Sequence, residues 1–265
     1  MEVIIQPDKK RAAELTAKVI AEQLRVKHDL VLGLATGRTM ERVYADLVSM
    51  HKNEGLDFSS CRTFNLDEYV GLPAEDPHSY RSYMNHHLFD HINIDIRNTY
   101  LPNGMAGDLK EECLLYEKRI KACGGIDLQL LGIGESGHIG FNEPLSALYS
   151  RTRQKALTQV TIDQNSPLFD PPEKMPRRAL TMGVGTILEA SRIIVLVTGE
   201  KKAAILAKSV EGPITSMISA TALQTHPATT VIVDEAAASK LENKEYYYWL
   251  WENEPEWETY RKSMS

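Results

Sequence analysis

The 265-residue chain has no apolar stretch approaching the roughly 18 residues that a membrane span needs. Its N-terminus, MEVIIQPDKKRAAEL, lacks the long apolar core of a secretory signal. Cysteine is scarce: Cys61, Cys113 and Cys123 form no C-x-x-C pair and no even disulfide framework. Basic residues are in deficit too. With 30 Lys and Arg against 36 Asp and Glu, the formal net charge of -6 argues against a nucleic-acid binder, which carries a concentrated basic face. A few local donors still suffice to hold one phosphate. The absences together point to a cytoplasmic protein in a reducing compartment, with neither nucleic acid nor membrane as partner. The 43% of apolar residues is enough for a soluble chain of this length to bury a core.

The chain is organised around Leu130–Pro144, LLGIGESGHIGFNEP. An apolar strand from Ile126 to Ile133 breaks into Gly132, Gly134 and Gly137, and then presents His138 and Glu143. A strand ending in glycines with a histidine and a carboxylate behind them reads as an active-site loop at the C-terminal edge of a parallel sheet. The stretch also contains G-x-G-x-x-G, but a dinucleotide fingerprint must open a helix. Gly140 and Pro144 stand against a helix here, one by its entropy and the other by its missing donor.

Strand and helix patterns alternate along the rest. Val3–Ile5 is a strand, Lys9–Arg25 a helix capped by Asp8, and Leu30–Leu34 a buried strand. Ala35-Thr36-Gly37-Arg38-Thr39 then leads into a helix from about Met40 to Met50, and free N–H groups at such a helix start attract anions. An ordinary βα turn is the alternative, and the spacing of a Walker A loop is absent. Cys61–Leu66 is a strand delivering Asp67 and Glu68, adjacent carboxylates suited to acid–base work or to capping a helix. In the helix from Ser79 to about Asp90, His87 and His91 lie four apart, a geometry that can bind zinc, but no glutamate follows His87 and no third ligand is evident. Asp108–Ala122 is a charged helix, and Ser146–Thr158, with Arg151, Arg153 and Lys155, is a basic patch. Thr161–Met175 is polar and proline-rich, so it is expected to be a loop, lid-like over about 160–177. Gly183–Ala190 is a helix, Arg192–Thr198 a strand running into Gly199-Glu-Lys-Lys202, Thr221–Thr225 helical, and Thr230–Val233 the last strand. The aromatic tail over 246–265 is expected to pack on its own domain or on a neighbour. The alternation, without linker or repeat, predicts one α/β domain over residues 1–265 with a mostly parallel sheet covered on both faces.

At these blocks the sequence resembles the glucosamine-6-phosphate deaminase (isomerase) family: LGLATGRT, FNLDEYVGL, GIGESGHIGFNEP, SRTRQKALT, LTMGVGTIL and LVTGEKKA, in that order. The resemblance implies a modified Rossmann-like three-layer α/β/α sandwich needing no organic cofactor or metal. It implies conversion of α-glucosamine 6-phosphate and water to fructose 6-phosphate and ammonia in N-acetylglucosamine catabolism, a hydrolase acting on a C–N bond. It assigns Asp67 as the base moving the C2 proton to C1, His138 as the ring-opening group and Glu143 as its orienting partner. Thr36, Gly37, Arg38, Thr39 and Lys202 match phosphate-holding positions. The residue chemistry agrees, since a rigid carboxylate suits proton abstraction beside a carbonyl and imidazole suits two-way proton traffic.

Two positions depart from the family. Ser136 stands where many relatives have Asp or Asn, and Pro167 where relatives usually have an arginine that reaches the phosphate. Some relatives are hexamers activated by N-acetylglucosamine 6-phosphate at a subunit interface. Ser146, Arg153, Lys155, Tyr248 and the Met1 amino group match positions of that allosteric site, although Ala156 replaces a threonine there. Surface salt bridges are the alternative role for Arg153 and Lys155. The rival activities are deamination of galactosamine 6-phosphate, 6-phosphogluconolactone hydrolysis on the same fold, and non-catalytic sugar-phosphate sensing.

Overall fold

The computed structural model describes residues 1–264. The chain runs through β1 (Glu2–Gln6), α1 (Lys9–Val26), β2 (Val31–Leu34), α2 (Arg38–Glu54), β3 (Arg62–Asn65), β4 (Asp67–Tyr69) and α3 (Tyr80–His87). It continues through β5 (Thr99–Tyr100), α4 (Leu109–Ala122), β6 (Leu128–Leu131), β7 (Arg153–Ala156), α5 (Gln159–Asn165), β8 (Arg178–Thr181) and α6 (Val184–Leu188). β9 (Arg192–Val197), α7 (Ala203–Val210), β10 (Thr229–Asp234), α8 (Lys244–Asn253) and α9 (Glu258–Met264) complete it.

Seven strands form a parallel sheet in the order β1-β10-β9-β6-β2-β3-β5, flanked by helices as expected. Its central strands read as apolar runs because both faces are covered; β9 and β10 are buried along nearly their whole length. From β2 the chain moves outward to β3 and β5, then returns to lay β6 on the other side of β2 and proceeds to β9 and β10. That reversal opens a crevice between the C-terminal ends of β2 and β6, where open α/β sheets bind ligands.

A second sheet, antiparallel in the order β4-β8-β7, was not expected from the sequence. Leu66 joins the two: its N–H donates to Leu34 O in the large sheet, and its carbonyl accepts from Met182 N behind the small one. Arg178–Thr181 escaped notice because it is short and starts with an exposed arginine. Arg153–Ala156 is a strand inside the expected basic patch, and one of that patch's three cations is neutralised. Arg151 pairs with Glu117 and Glu189. The expected loop at Thr161–Met175 is also corrected. α5 starts at Gln159, with Thr158 capping it through a bond from Thr161 N, and two 3-10 turns follow. Those elements rest on a small apolar cluster of Tyr69, Phe141, Leu157, Phe169, Met175 and Ala179, apart from the main core.

In the C-terminal tail, Trp257 is fully buried and Tyr247 and Leu250 face the core, whereas Tyr246 and Trp249 remain exposed. Among the described residues, no helix is long and apolar enough to cross a membrane.

Candidate active site

The tips of four neighbouring strands, β9, β6, β2 and β3, carry the expected catalytic and substrate-binding residues. After β2, Gly37 takes φ +114 as the residue preceding α2, which begins at Arg38, two residues earlier than expected. A 17-residue helix thus presents its free N–H groups at Gly37, Arg38 and Thr39, just after Thr36. Two tyrosines of α3 brace this turn. Tyr83 donates its hydroxyl to Gly37 O at 2.9 Å, and the hydroxyl of the half-buried Tyr80 lies near Thr36 and 3.3 Å from the Tyr69 hydroxyl. Arg38 is exposed. Lys202 follows β9 in a 3-10 turn and donates Nζ to Ile133 O at 2.9 Å, which points its ammonium across the tip of β6. Burial lowers its pKa, with Glu135 opposing.

Asp67 is the first residue of β4, just where the chain leaves the large sheet. Its carboxyl is buried, and burial, followed by repulsion from Glu68, pushes its pKa up to about 8. Glu68 points elsewhere: its two oxygens accept from the backbone N–H groups of Tyr69, Tyr80 and Arg81 at 2.8–3.0 Å and so cap α3. The adjacent pair therefore divides into one group available for chemistry and one helix cap. Strand alternation separates them.

Behind β6, residues 132–143 form turns rather than a helix, which disposes of the dinucleotide reading. The imidazole of His138 lies so close to Gly134 that a Cβ there would come within 2.1 Å of Nε2. Nδ1 lies 2.8 Å from Ser136 Oγ and 3.4 Å from Glu143 Oε2. The second contact is an ion-pair distance without hydrogen-bond alignment, and Oε2 has no hydrogen-bond partner of its own. Burial works to raise the Glu143 pKa, but the neighbouring His138 imidazole and the hydrogen bonds from Thr161 and Thr158 N hold it down to about 2. Ser136, the family departure, therefore stands in direct contact with the imidazole.

The loop then turns toward Asp67. Gly140, at φ +53, passes so near that a Cβ would lie 3.5 Å from Asp67 Oδ2 and 2.9 Å from Thr181 Oγ1. Thr181 pairs with Asp67 across β4 and β8, accepts a hydrogen bond from Phe141 N at 3.0 Å, and donates to Met182 O. One threonine thus ties the strand bearing Asp67 to the loop bearing His138 and Glu143.

A family model described as glucosamine-6-phosphate isomerases/6-phosphogluconolactonase matches residues 8–237. The chain belongs to that family. A glucosamine-6-phosphate deaminase of Shewanella halifaxensis is 48% identical over 247 residues, 93% of this chain and 94% of that one. A solved structure, described as a monomeric glucosamine-6-phosphate deaminase, superposes with TM-score 0.89 at 42% identity and covers 91% of this chain and 100% of the other. The 6-phosphogluconolactonase of Trypanosoma brucei, at 17% identity and TM-score 0.73 over 91% of this chain and 98% of its own, shares the fold. The Rossmann-like sandwich is thus the architecture of this isomerase and lactonase family.

The other expected residues divide. Arg153 donates to Asn142 Oδ1 at 2.8 Å and to Ser146 Oγ at 3.0 Å, and Lys155 follows on the same face of β7. Tyr248 is elsewhere, on α8, with its hydroxyl donated to Glu235. His86, His87 and His91 line a groove of about 270 Å³ beside α2, with His91 Nε2 occupied by His86 O. Among the described residues, no three His, Cys, Asp or Glu side chains are placed to hold a metal ion. Sequence reading missed Thr181, the Tyr69–Tyr80 hydroxyl pair and Thr161. For Thr161 a signal existed, because Thr158 three residues earlier has the spacing of a helix cap. Thr181→Val should strand the buried Phe141 N–H, lowering unfolding free energy by roughly 1–3 kcal/mol in denaturant titration and reducing kcat. Wild-type values of both would show the bond to be dispensable.

Proposed function

We propose that this chain converts α-glucosamine 6-phosphate and water to fructose 6-phosphate and ammonia, an isomerisation coupled to deamination. The observation that carries the reading is the convergence at one crevice of a buried carboxylate at Asp67, the His138–Glu143 pair and a helix start able to hold phosphate. The names of the relatives point the same way.

In this scheme the phosphate sits against Thr36–Thr39 and Lys202, remote from the bonds that change, and its binding energy holds the sugar in register. His138 accepts the O1 proton and returns a proton to the ring oxygen as the C1–O5 bond breaks, leaving an open-chain aldehyde. Asp67 removes the C2 proton and delivers it to C1, while O1 gains a proton lost from the ammonium nitrogen, which leaves an alcohol at C1 and an iminium at C2. Water adds at C2, and ammonia leaves. Each positioned acid–base group supplies about 10²–10⁴-fold. Burial suits Asp67 to this role, because a desolvated carboxylate is a stronger base than one in water. Pro167 takes no part in phosphate binding, and Arg38, exposed beside the helix start, supplies the mobile cation instead.

The activator proposal needs more than one chain. Ser146, Arg153 and Lys155 lie together, but Tyr248 would have to come from a neighbouring subunit. Sedimentation with and without N-acetylglucosamine 6-phosphate tests this; a monomer whose rate ignores the compound rules it out.

Ammonia release should be seen with glucosamine 6-phosphate and be weaker with the galactosamine epimer. Tight binding without release from either would favour a sensor. Asp67→Asn should abolish release while sparing binding. In the free enzyme Asp67 must be ionised to act, so kcat/KM should rise about tenfold per pH unit up to about 8 and then level. A flat profile between pH 6 and 8 together with active Asp67→Asn would overturn its assignment as base. Lys202→Ala should raise KM by roughly 10–100-fold with a smaller change in kcat, as expected for loss of a charge-assisted bond to phosphate. A change confined to kcat would remove Lys202 from the phosphate site.

A further inference from the structure

The two oxygens of Glu143 face different parts of the molecule. Oε2 faces His138 Nδ1 at 3.4 Å, while Oε1 accepts from Thr161 Oγ1 at 2.6 Å and from Thr158 N at 3.2 Å. Thr161 is 1% exposed and belongs to α5, which stands over the small aromatic cluster through Ile162. The loop that carries Glu143 supplies no other bond to Oε1. The rotation of this carboxylate is therefore set from outside its own loop.

We infer that Thr161 is a positioning residue for ring opening: its hydroxyl anchors Glu143 Oε1 so that Oε2 stays against His138 Nδ1. The consequence is tautomeric. An anionic carboxylate beside Nδ1 keeps the proton there and leaves Nε2 free to exchange protons with the sugar. Ser136 Oγ, 2.8 Å from the same nitrogen, lacks that discrimination because a hydroxyl donates or accepts equally well. If Glu143 turned away, Ser136, already hydrogen-bonded to Nδ1, would be its sole partner and both tautomers would be populated. A relative with a carboxylate at that position would retain a second anion there; this chain does not, so its imidazole depends more heavily on Glu143 and on Thr161 behind it. Among the described groups facing the Glu143 carboxylate, the one ionisable side chain is His138, while Thr158 and Thr161 are neutral.

The inference rests on the deaminase reading for its link to ring opening, but not for the geometry. Thr161→Val keeps the shape and removes the donor. It should lower kcat for ammonia release roughly ten- to a hundredfold while KM stays within about threefold, and Thr161→Ser should restore most of the loss. In protein labelled with 15N-histidine, the His138 resonances, assigned by their loss in His138→Asn, should move from one tautomer toward a mixture in Thr161→Val. Thr161→Ala is the second variant if valine disturbs folding, with the same expectation. Wild-type kcat in the valine variant, no recovery with serine, or an unchanged tautomer would each overturn the inference. If the wild type releases no ammonia from any amino-sugar phosphate, the deaminase reading fails while the tautomer measurement still judges the positioning role.

Discussion

A buried carboxylate with no cation facing it among the described residues is the constraint on which this molecule turns. Asp67 sits where the chain steps from the large parallel sheet into the small antiparallel one, and its surroundings leave the ionised form poorly solvated. Stability alone would not favour such a group, since a desolvated charge is costly unless paired. Its cost is tolerated because both sheets hold it. Leu66 bonds into each of them on one side, and Thr181 pairs with Asp67 on the other. A desolvated carboxyl of this kind marks a candidate functional site.

The small sheet explains how a crevice at a strand switch becomes a site with defined distances. A parallel sheet by itself supplies strand tips and helix starts, but the loops between them are free to wander. Here β4 and β8 draw the Asp67 backbone and Thr181 together, and the Thr181 hydroxyl then holds the Phe141 amide of the histidine loop. The aromatic cluster of Tyr69, Phe141 and Phe169 brings α5 down onto that loop. Glu143 is thereby bonded to an element more than a dozen residues away in sequence. The turn at Thr36–Thr39 joins the same assembly through Tyr80, whose hydroxyl lies between Thr36 and Tyr69.

Charge is allotted with similar economy. Glu68, next to the buried Asp67, caps α3, and Glu117 absorbs Arg151 together with the hydroxyls of Thr152 and Thr186. Arg153 is spent on Asn142 and Ser146. Among the described residues no carboxylate is bonded to Lys202 or Arg38 at the crevice, so an anion proposed to bind there would meet cations that need not first be released.

Most of the large sheet was legible in the residue pattern because buried parallel strands such as 192–197 and 229–234 are built on apolar runs that need no partner to be recognised, whereas the two-residue edge strand 99–100 was not. The glycine break with its histidine and carboxylate was legible for the same local reason: glycine, histidine and glutamate at that spacing have few other uses. Asp67 was visible as a strand-end carboxylate, yet nothing local distinguished it from Glu68. Only the direction of each side chain in the folded sheet did. The strands 153–156 and 178–181 were invisible because they are short, partly polar and stabilised by one another rather than by their own composition. Local chemistry thus determined the strand order's raw materials and the residue types of the candidate site. Tertiary structure alone decided which carboxylate is desolvated, which caps a helix and which is held by Thr161, because burial and hydrogen bonding between distant segments exist only after the chain has closed on itself.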